Sequence, residues 1–314
     1  MRFAEIEYPG TERRLEVRGA RVCFIARPAA ADAPPPGAAP VLLIPPLGRG
    51  LMHYAPNLDA LAGLGPVVAY DPPGCGKTDK AGPALDLLGV DGQAEVALRV
   101  LEAAKAALAV PEPAPALVVG TSYGAVVALA LAARAPALVG ALALSDAAGL
   151  QPSLAGRLAL TLLSRPALVR RLGDRVWRSG LERMFARRDH PALAANLELA
   201  ARLRAGPDWP DYAAALARTT AAAAAAPSLV GALVDEARAR ARPSAVIWGA
   251  HDRVTPPAWG RELASRLAAP FVPIEGAGHF PNIERPREFE AAVARLVATA
   301  APDRPSRETP CVRA

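Results

Sequence analysis

The chain has 314 residues, a formal net charge of +6 and three cysteines. That length supports one large core with an insertion, or two domains. No Lys/Arg run forms a nucleic-acid tail, and Cys23, Cys75 and Cys311 are too scattered for a disulfide framework or a metal pattern. Reduced thiols in a cytoplasm are therefore the expectation. Met1 to Glu5 carries an acid and no apolar core, so it does not read as a secretory leader.

The elements follow in chain order. Leu15 to Ala26 reads as one or two strands broken at Arg18-Gly19, and Pro28 to Pro40 as an Ala/Pro/Gly linker. Val41 to Ile44 is a short apolar run closed by Pro45-Pro46, which suits a buried strand, and Pro66 to Asp71 is another. Val90 to Leu108 places Ala94, Leu98, Leu101, Ala104 and Leu108 on one helical stripe, with Asp91 as the expected N-cap. Ala116 to Gly120 reads as a strand, Tyr123 to Ala133 as a helix and Leu138 to Ser145 as a strand. Ala116 to Ala133 is uncharged, but Pro115 and the Gly120–Gly124 turn argue against a membrane span.

From Gly149 to Arg242 strand-like runs stop and Ala/Leu/Arg helical patterns take over. The densest basic cluster, Arg157 to Arg188, is interleaved with Leu, Val and Trp. It reads as the solvated face of amphipathic helices, or as a surface that attracts an anionic substrate or partner. Alternation then resumes: a strand over Ser244 to Trp248, a helix over Pro257 to Leu267, a strand over Phe271 to Ile274 and a helix over Pro286 to Ala300. The expected domains are N-terminal strands and linker over 1–40, a core over 41–148 and 243–300, a helical insertion over 149–242 and a disordered tail over 301–314.

Repeated strand–helix units imply an α/β fold with a mostly parallel, doubly wound sheet. In such sheets ligands bind beyond the carboxyl ends of the strands. Ser122, Asp146, His251, Asp252 and His279 all follow expected strands. Ser122 stands in Gly120-Thr121-Ser122-Tyr123-Gly124, between an apolar strand and an Ala/Leu-rich helix. A serine on so sharp a turn needs very small residues two before and two after it.

Four segments resemble the α/β-hydrolase fold superfamily, over about Val41 to Val297. They are Gly120–Gly124, Trp248-Gly249-Ala250-His251-Asp252-Arg253-Val254-Thr255-Pro256, Glu275-Gly276-Ala277-Gly278-His279-Phe280-Pro281-Asn282-Ile283-Glu284-Arg285-Pro286 and Asp71-Pro72-Pro73-Gly74-Cys75-Gly76-Lys77-Thr78-Asp79. The resemblance implies that Ser122 is a nucleophile, His279 its base and Asp252 the acid that orients His279, with Asp146 as a rival acid. It implies an oxyanion hole from the backbone N–H groups of Tyr123 and Leu47. Here Pro45-Pro46 replaces the family's usual His-Gly, so Leu47 is the first residue in that loop with an N–H to offer. The insertion is expected to form a helical lid. Trp177, Phe185, Trp209 and Tyr212 are candidates to line an acyl pocket, and His53 and Phe280 to touch substrate. No metal and no cofactor are expected.

The implied activity is a serine hydrolase that cleaves an ester or related acyl bond of a small molecule through an acyl-enzyme. Acyltransferase, C–C hydrolase and peptidase chemistry use the same triad, and a non-catalytic binding protein on the same fold is the alternative of a different class. The stretch Pro72 to Thr78 mimics a nucleotide-binding Walker A loop. Asp71 replaces its first glycine, however, and Gly82-Pro83 would break the helix that such a loop needs.

Overall fold

The computed structural model describes residues 5–31, 39–148, 178–224 and 227–300. The expected tail over 301–314 and the candidate Trp177 lie outside the described residues.

The strands are β1 (Thr11–Val17), β2 (Ala20–Arg27), β3 (Val41–Ile44), β4 (Val67–Tyr70), β5 (Ala116–Thr121), β6 (Val139–Ser145), β7 (Ser244–Gly249) and β8 (Phe271–Ile274). They form one eight-stranded sheet in the order β1-β2-β4-β3-β5-β6-β7-β8. The β1–β2 hairpin and the β2–β4 pair are antiparallel. Every pairing from β4 onward is parallel. The composition of each strand fits its place. β3, β4, β5 and β7 are unbroken apolar runs and are buried along their whole length, as strands covered on both faces must be. The two edges are protected differently. β1, with the sequence TERRLEV, is mostly exposed and charged, and β8 carries Pro273, which has no N–H to offer a further strand.

The helices are α1 (Leu58–Ala62), α2 (Val90–Ala107), α3 (Tyr123–Arg134), α4 (Pro191–Arg204), α5 (Trp209–Ala224), α6 (Pro227–Ala239), α7 (Pro257–Leu267), α8 (Pro281–Glu284) and α9 (Pro286–Ala300). One sheet face is covered by α2, α3, α6 and α7, through residues such as Val100, Val127, Val234 and Leu263. The other is covered by α1 and α9, through Leu58, Leu61, Phe289 and Val293. Each such buried aliphatic side chain contributes roughly 1.5–3 kcal/mol of transfer free energy.

Two sequence expectations change. Asp91 is not the N-cap of α2. Gly89 takes that position in an extended conformation, and Asp91 lies in the first turn, where its charge still favours the helix N-terminus. The helical insertion was expected to run to Arg242, but α6 buries Val230, Leu233, Val234 and Ala237 in the same core as α3. An Ala/Leu/Arg pattern shows that a helix is amphipathic, not which layer its apolar face meets.

The described part of the insertion touches the carboxyl edge of the sheet at several points. The Tyr212 hydroxyl donates to the Gly48 carbonyl, Arg49 Nη1 donates to Asn196 Oδ1 at 2.6 Å, and the His279 N–H donates to the Met184 carbonyl at 2.7 Å. Among the described residues no helix is long and apolar enough to cross a membrane.

Candidate active site

The sheet delivers its chemistry at the carboxyl ends of β3, β5, β6, β7 and β8. Ser122 follows β5 at φ 55° and ψ −117°, a region that non-glycine residues rarely occupy. The turn is possible because its flanks lack side chains. A Cβ on Gly120 would strike the Gly124 backbone, and one on Gly124 would strike the Ile44 and Pro45 carbonyls. That second contact also brings the loop after β3 against the N-terminus of α3. Tyr123 opens α3, so its N–H is among those that a helix leaves without an internal partner. Leu47 follows the two prolines in the neighbouring loop and is partly buried against the core.

Three residues distant in sequence meet here. His279 Nε2 lies 3.0 Å from Ser122 Oγ, and His279 Nδ1 lies 2.8 Å from Asp252 Oδ2. All three are buried. Asp252 is held from several sides: Val254 N–H donates to Oδ1 at 2.7 Å, Thr255 N–H to Oδ1 at 3.1 Å, and the Thr255 hydroxyl to Oδ2 at 2.6 Å. Trp248 anchors the same loop by donating from Nε1 to the Thr255 carbonyl at 2.9 Å. Burial alone would raise the Asp252 pKa, but His279 and these donors together hold it below the usual carboxylate range.

Asp146, the rival acid, follows β6 at φ 46°. Its carboxylate accepts from the Gly249 N–H at 2.9 Å and the Ser145 hydroxyl at 2.6 Å, not from His279. Burial first, and then the charge of Asp252, raise its pKa well above the ordinary value. The two acids are therefore pushed in opposite directions, Asp252 towards the carboxylate and Asp146 towards the neutral acid.

The remaining candidates surround this line. Phe280 is fully enclosed, with its ring 5.2 Å from the His279 ring, 4.9 Å from the His53 ring and 6.0 Å from the Phe185 ring. Phe185 and Phe280 share a small apolar cluster with Leu181 and Leu193. Trp209 and Tyr212 stack at 5.8 Å, with Tyr212 directed at Gly48. His251 is exposed. Cys23 and Cys75 are free and buried. Burial first, and then the Asp71 charge, push both thiols up to about 12, which leaves little thiolate at neutral pH.

Thr255 and Glu284 stand inside the recognised loops, but sequence reasoning gives them no role, and it does not single out Arg49 at all. Thr255 stands three residues after Asp252, a spacing at which a hydroxyl can turn back on an acid. Glu284 accepts from the Gly278 and Ala186 N–H groups, each at 2.8 Å, and so ties the His279 loop to the insertion. No local signal marks Arg49. The Walker-like stretch opens no helix at Lys77-Thr78, and the next helical turn spans Gly82–Leu87. Asp146, Asp252 and His279 together have metal-ligand atoms within 4.8 Å of one another, but their hydrogen bonds already use those atoms within the protein.

Comparisons with known proteins agree with this architecture. The chain is 25% identical to an enol-lactonase from Burkholderia xenovorans LB400, covering 91% of this chain and 100% of that one with a TM-score of 0.70. It is 25% identical to a hydrolase from Pseudomonas aeruginosa PA01, covering 92% and 99% with a TM-score of 0.71. A thermophilic esterase from Thermogutta terrifontis, at 19% identity, shares the fold with a TM-score of 0.70 over 93% of this chain and 99% of that one. In sequence it is 30% identical over 260 residues to the polyketide synthase ThaQ of Burkholderia thailandensis, using 81% of this chain but only 11% of that much longer protein. A family model described as the alpha/beta hydrolase family matches residues 41–292, and the chain belongs to that family.

Proposed function

We propose that the chain is a metal-independent serine hydrolase that cleaves an ester or related acyl bond of a small molecule through an acyl-enzyme. The hydrogen-bonded line Ser122 Oγ, His279 Nε2, His279 Nδ1 and Asp252 Oδ2, with spacings of 3.0 and 2.8 Å, carries this reading. His279 Nε2 takes the Ser122 hydroxyl proton as Oγ attacks the substrate carbonyl. The oxyanion is received by the N–H groups of Tyr123 and Leu47. His279 then protonates the leaving group, and the acyl-enzyme is hydrolysed by water that His279 deprotonates. Asp252 keeps the proton on Nδ1 and stabilises the imidazolium. Residues 178–224 of the insertion act as part of a lid, with Phe185 and Phe280 bounding the acyl pocket. Free, buried thiols fit a reducing compartment such as the cytoplasm.

The test is labelling with a fluorophosphonate probe, alongside a panel of p-nitrophenyl esters, lactones and thioesters. The expected result is a single adduct on Ser122, with both adduct and turnover lost in Ser122→Ala. Acyl-ester turnover that survives Ser122→Ala would sink the mechanism. The likeness to part of a polyketide synthase makes the thioester arm informative for acyl transfer on the same triad.

A further inference from the structure

Arg49 and His53 lie beside this site, and the hydrolytic steps use neither. Arg49 Nη1 is taken by Asn196 Oδ1 at 2.6 Å. Its Nη2 is buried and has no hydrogen-bond partner. Among the described residues no carboxylate pairs with this guanidinium. Asp71, whose side chain lies against Gly50 of the same loop, is already engaged. Its oxygens accept from the Leu51 N–H at 2.8 Å, the Lys77 N–H at 2.8 Å and the Tyr8 hydroxyl. A guanidinium N–H edge shut away from water without a partner is costly, and proteins rarely leave one so. Burial depresses the Arg49 pKa, as expected for a cation that awaits a counter-charge.

His53 is the second uncompensated group. It is 4% exposed, and neither ring nitrogen makes a well-formed hydrogen bond, although the Asn282 side chain lies near enough to favour its charged form. Its ring is held edge-on to Tyr54 at 5.1 Å and to Phe280 at 4.9 Å. Burial, and then the nearby Arg49 charge, hold it neutral, with one N–H to donate.

Both groups border the candidate acyl site. The Arg49 guanidinium sits 5.2 Å from the centre of the Phe280 ring. That ring is in turn 5.2 Å from the ring of His279. Two orphaned polar groups thus share the ring that flanks the base.

We propose that the substrate carries a carboxylate, received by the free edge of Arg49 and a ring N–H of His53, while its scissile carbonyl sits at Ser122. This rests on the serine-hydrolase reading above. The apolar cluster of Phe185, Leu193 and Phe280 would hold the chain between the two ends. A guanidinium suits this role better than an ammonium would, because its fork matches a planar carboxylate.

The experiment uses monomethyl half-esters of straight-chain dicarboxylic acids, the matched methyl esters of monocarboxylic acids, and acetate esters of ω-hydroxy acids. Turnover is followed by proton release. The first and third series place the carboxylate on the acyl or the alcohol side. The expected result is a preference of at least tenfold in kcat/KM for one anionic series over the neutral one. In Arg49→Met that preference should disappear through a loss of roughly tenfold or more in kcat/KM for the anionic series alone, and Arg49→Lys should recover only part of it. Hexanoate and hexanamide are also titrated against Ser122→Ala and against Ser122→Ala with Arg49→Met, by calorimetry. Hexanoate should bind only when Arg49 is present. Arg49-dependent binding of hexanoate with no ester turnover supports the anion site while the hydrolase reading fails. Ester turnover with an anionic preference unchanged by Arg49→Met, or without any such preference, overturns the anion site and leaves the hydrolase reading standing.

Discussion

Two regions at the same edge of the sheet invite comparison. The loop after β4, Asp71 to Asp79, and the loops that hold Ser122, Asp252 and His279 are built from the same materials: glycines, an acid and a hydroxyl residue. In the first loop every group points back into the protein. Asp71 accepts two backbone N–H groups and the Tyr8 hydroxyl. Thr78 Oγ donates to the Asp71 carbonyl at 2.7 Å and accepts from the Cys23 N–H at 2.9 Å. Lys77 pairs with Glu12 and lies 4.4 Å from the Tyr8 ring centre. This loop therefore clamps the N-terminal hairpin to the core. At the second site the chain of bonds starts closed at Asp252 and ends open at Ser122 Oγ, on a strained backbone. An acid whose partners are all internal is architecture. An acid whose network runs through a histidine to a serine hydroxyl on a strained turn is the arrangement a nucleophile needs.

Variants can break the comparison, and the largest effect belongs to the open site. Ser122→Ala should lower turnover by about a million-fold, measured in steady state, with unfolding by urea changed little. Asp252→Asn should cost about ten-thousandfold in kcat, whereas Asp146→Asn should stay within roughly tenfold, because Asp146 is not the partner of His279. Equal losses in the two would erase the distinction between the acids. Gly124→Ala tests the turn itself. Its Cβ meets the Ile44 and Pro45 carbonyls, so a loss of about 3 kcal/mol or more is expected in chemical denaturation. At the closed loop, Asp71→Asn should cost roughly 1–3 kcal/mol of stability, with kcat retained in whatever fraction remains folded. A selective loss of kcat there would undo the architectural reading.

The smallest effect concerns pH. The folded-state pKa of Asp146 is raised, so between its ordinary value and the raised one the unfolded chain releases a proton that the folded chain keeps. Its contribution to stability therefore declines as pH rises through that window. Asp252 acts oppositely and lower, since its depressed pKa contributes stability that is lost as pH falls below the ordinary carboxylate value. Urea unfolding of Asp146→Asn across pH should show a flatter decline above that value than the parent protein.

Much of this was legible in the residues. The runs Val41 to Ile44, Pro257 to Leu267 and Phe271 to Ile274 coincide with β3, α7 and β8. An unbroken apolar run closed by Pro, as at Val41 to Ile44, has few structures open to it. The order Ser122, Asp252, His279 was readable because each follows a strand, and a parallel sheet sends all its strand ends to one edge. The layer joined by α6 was not readable. Its stripe is amphipathic, and only packing against α3 and α7 selects the face that it meets.

What the sequence by itself determined is local: which segments extend, which coil, and that Gly120 and Gly124 permit a turn closed to other residues. The tertiary structure alone decided the matters that depend on neighbours distant in the chain. It chose Asp252 over Asp146 as the partner of His279, because β7 and β8 lie side by side and their loops meet. It left Arg49 Nη2 and the His53 ring without a well-formed hydrogen bond, because hydrogen-bond satisfaction is settled only when every surrounding element is in place.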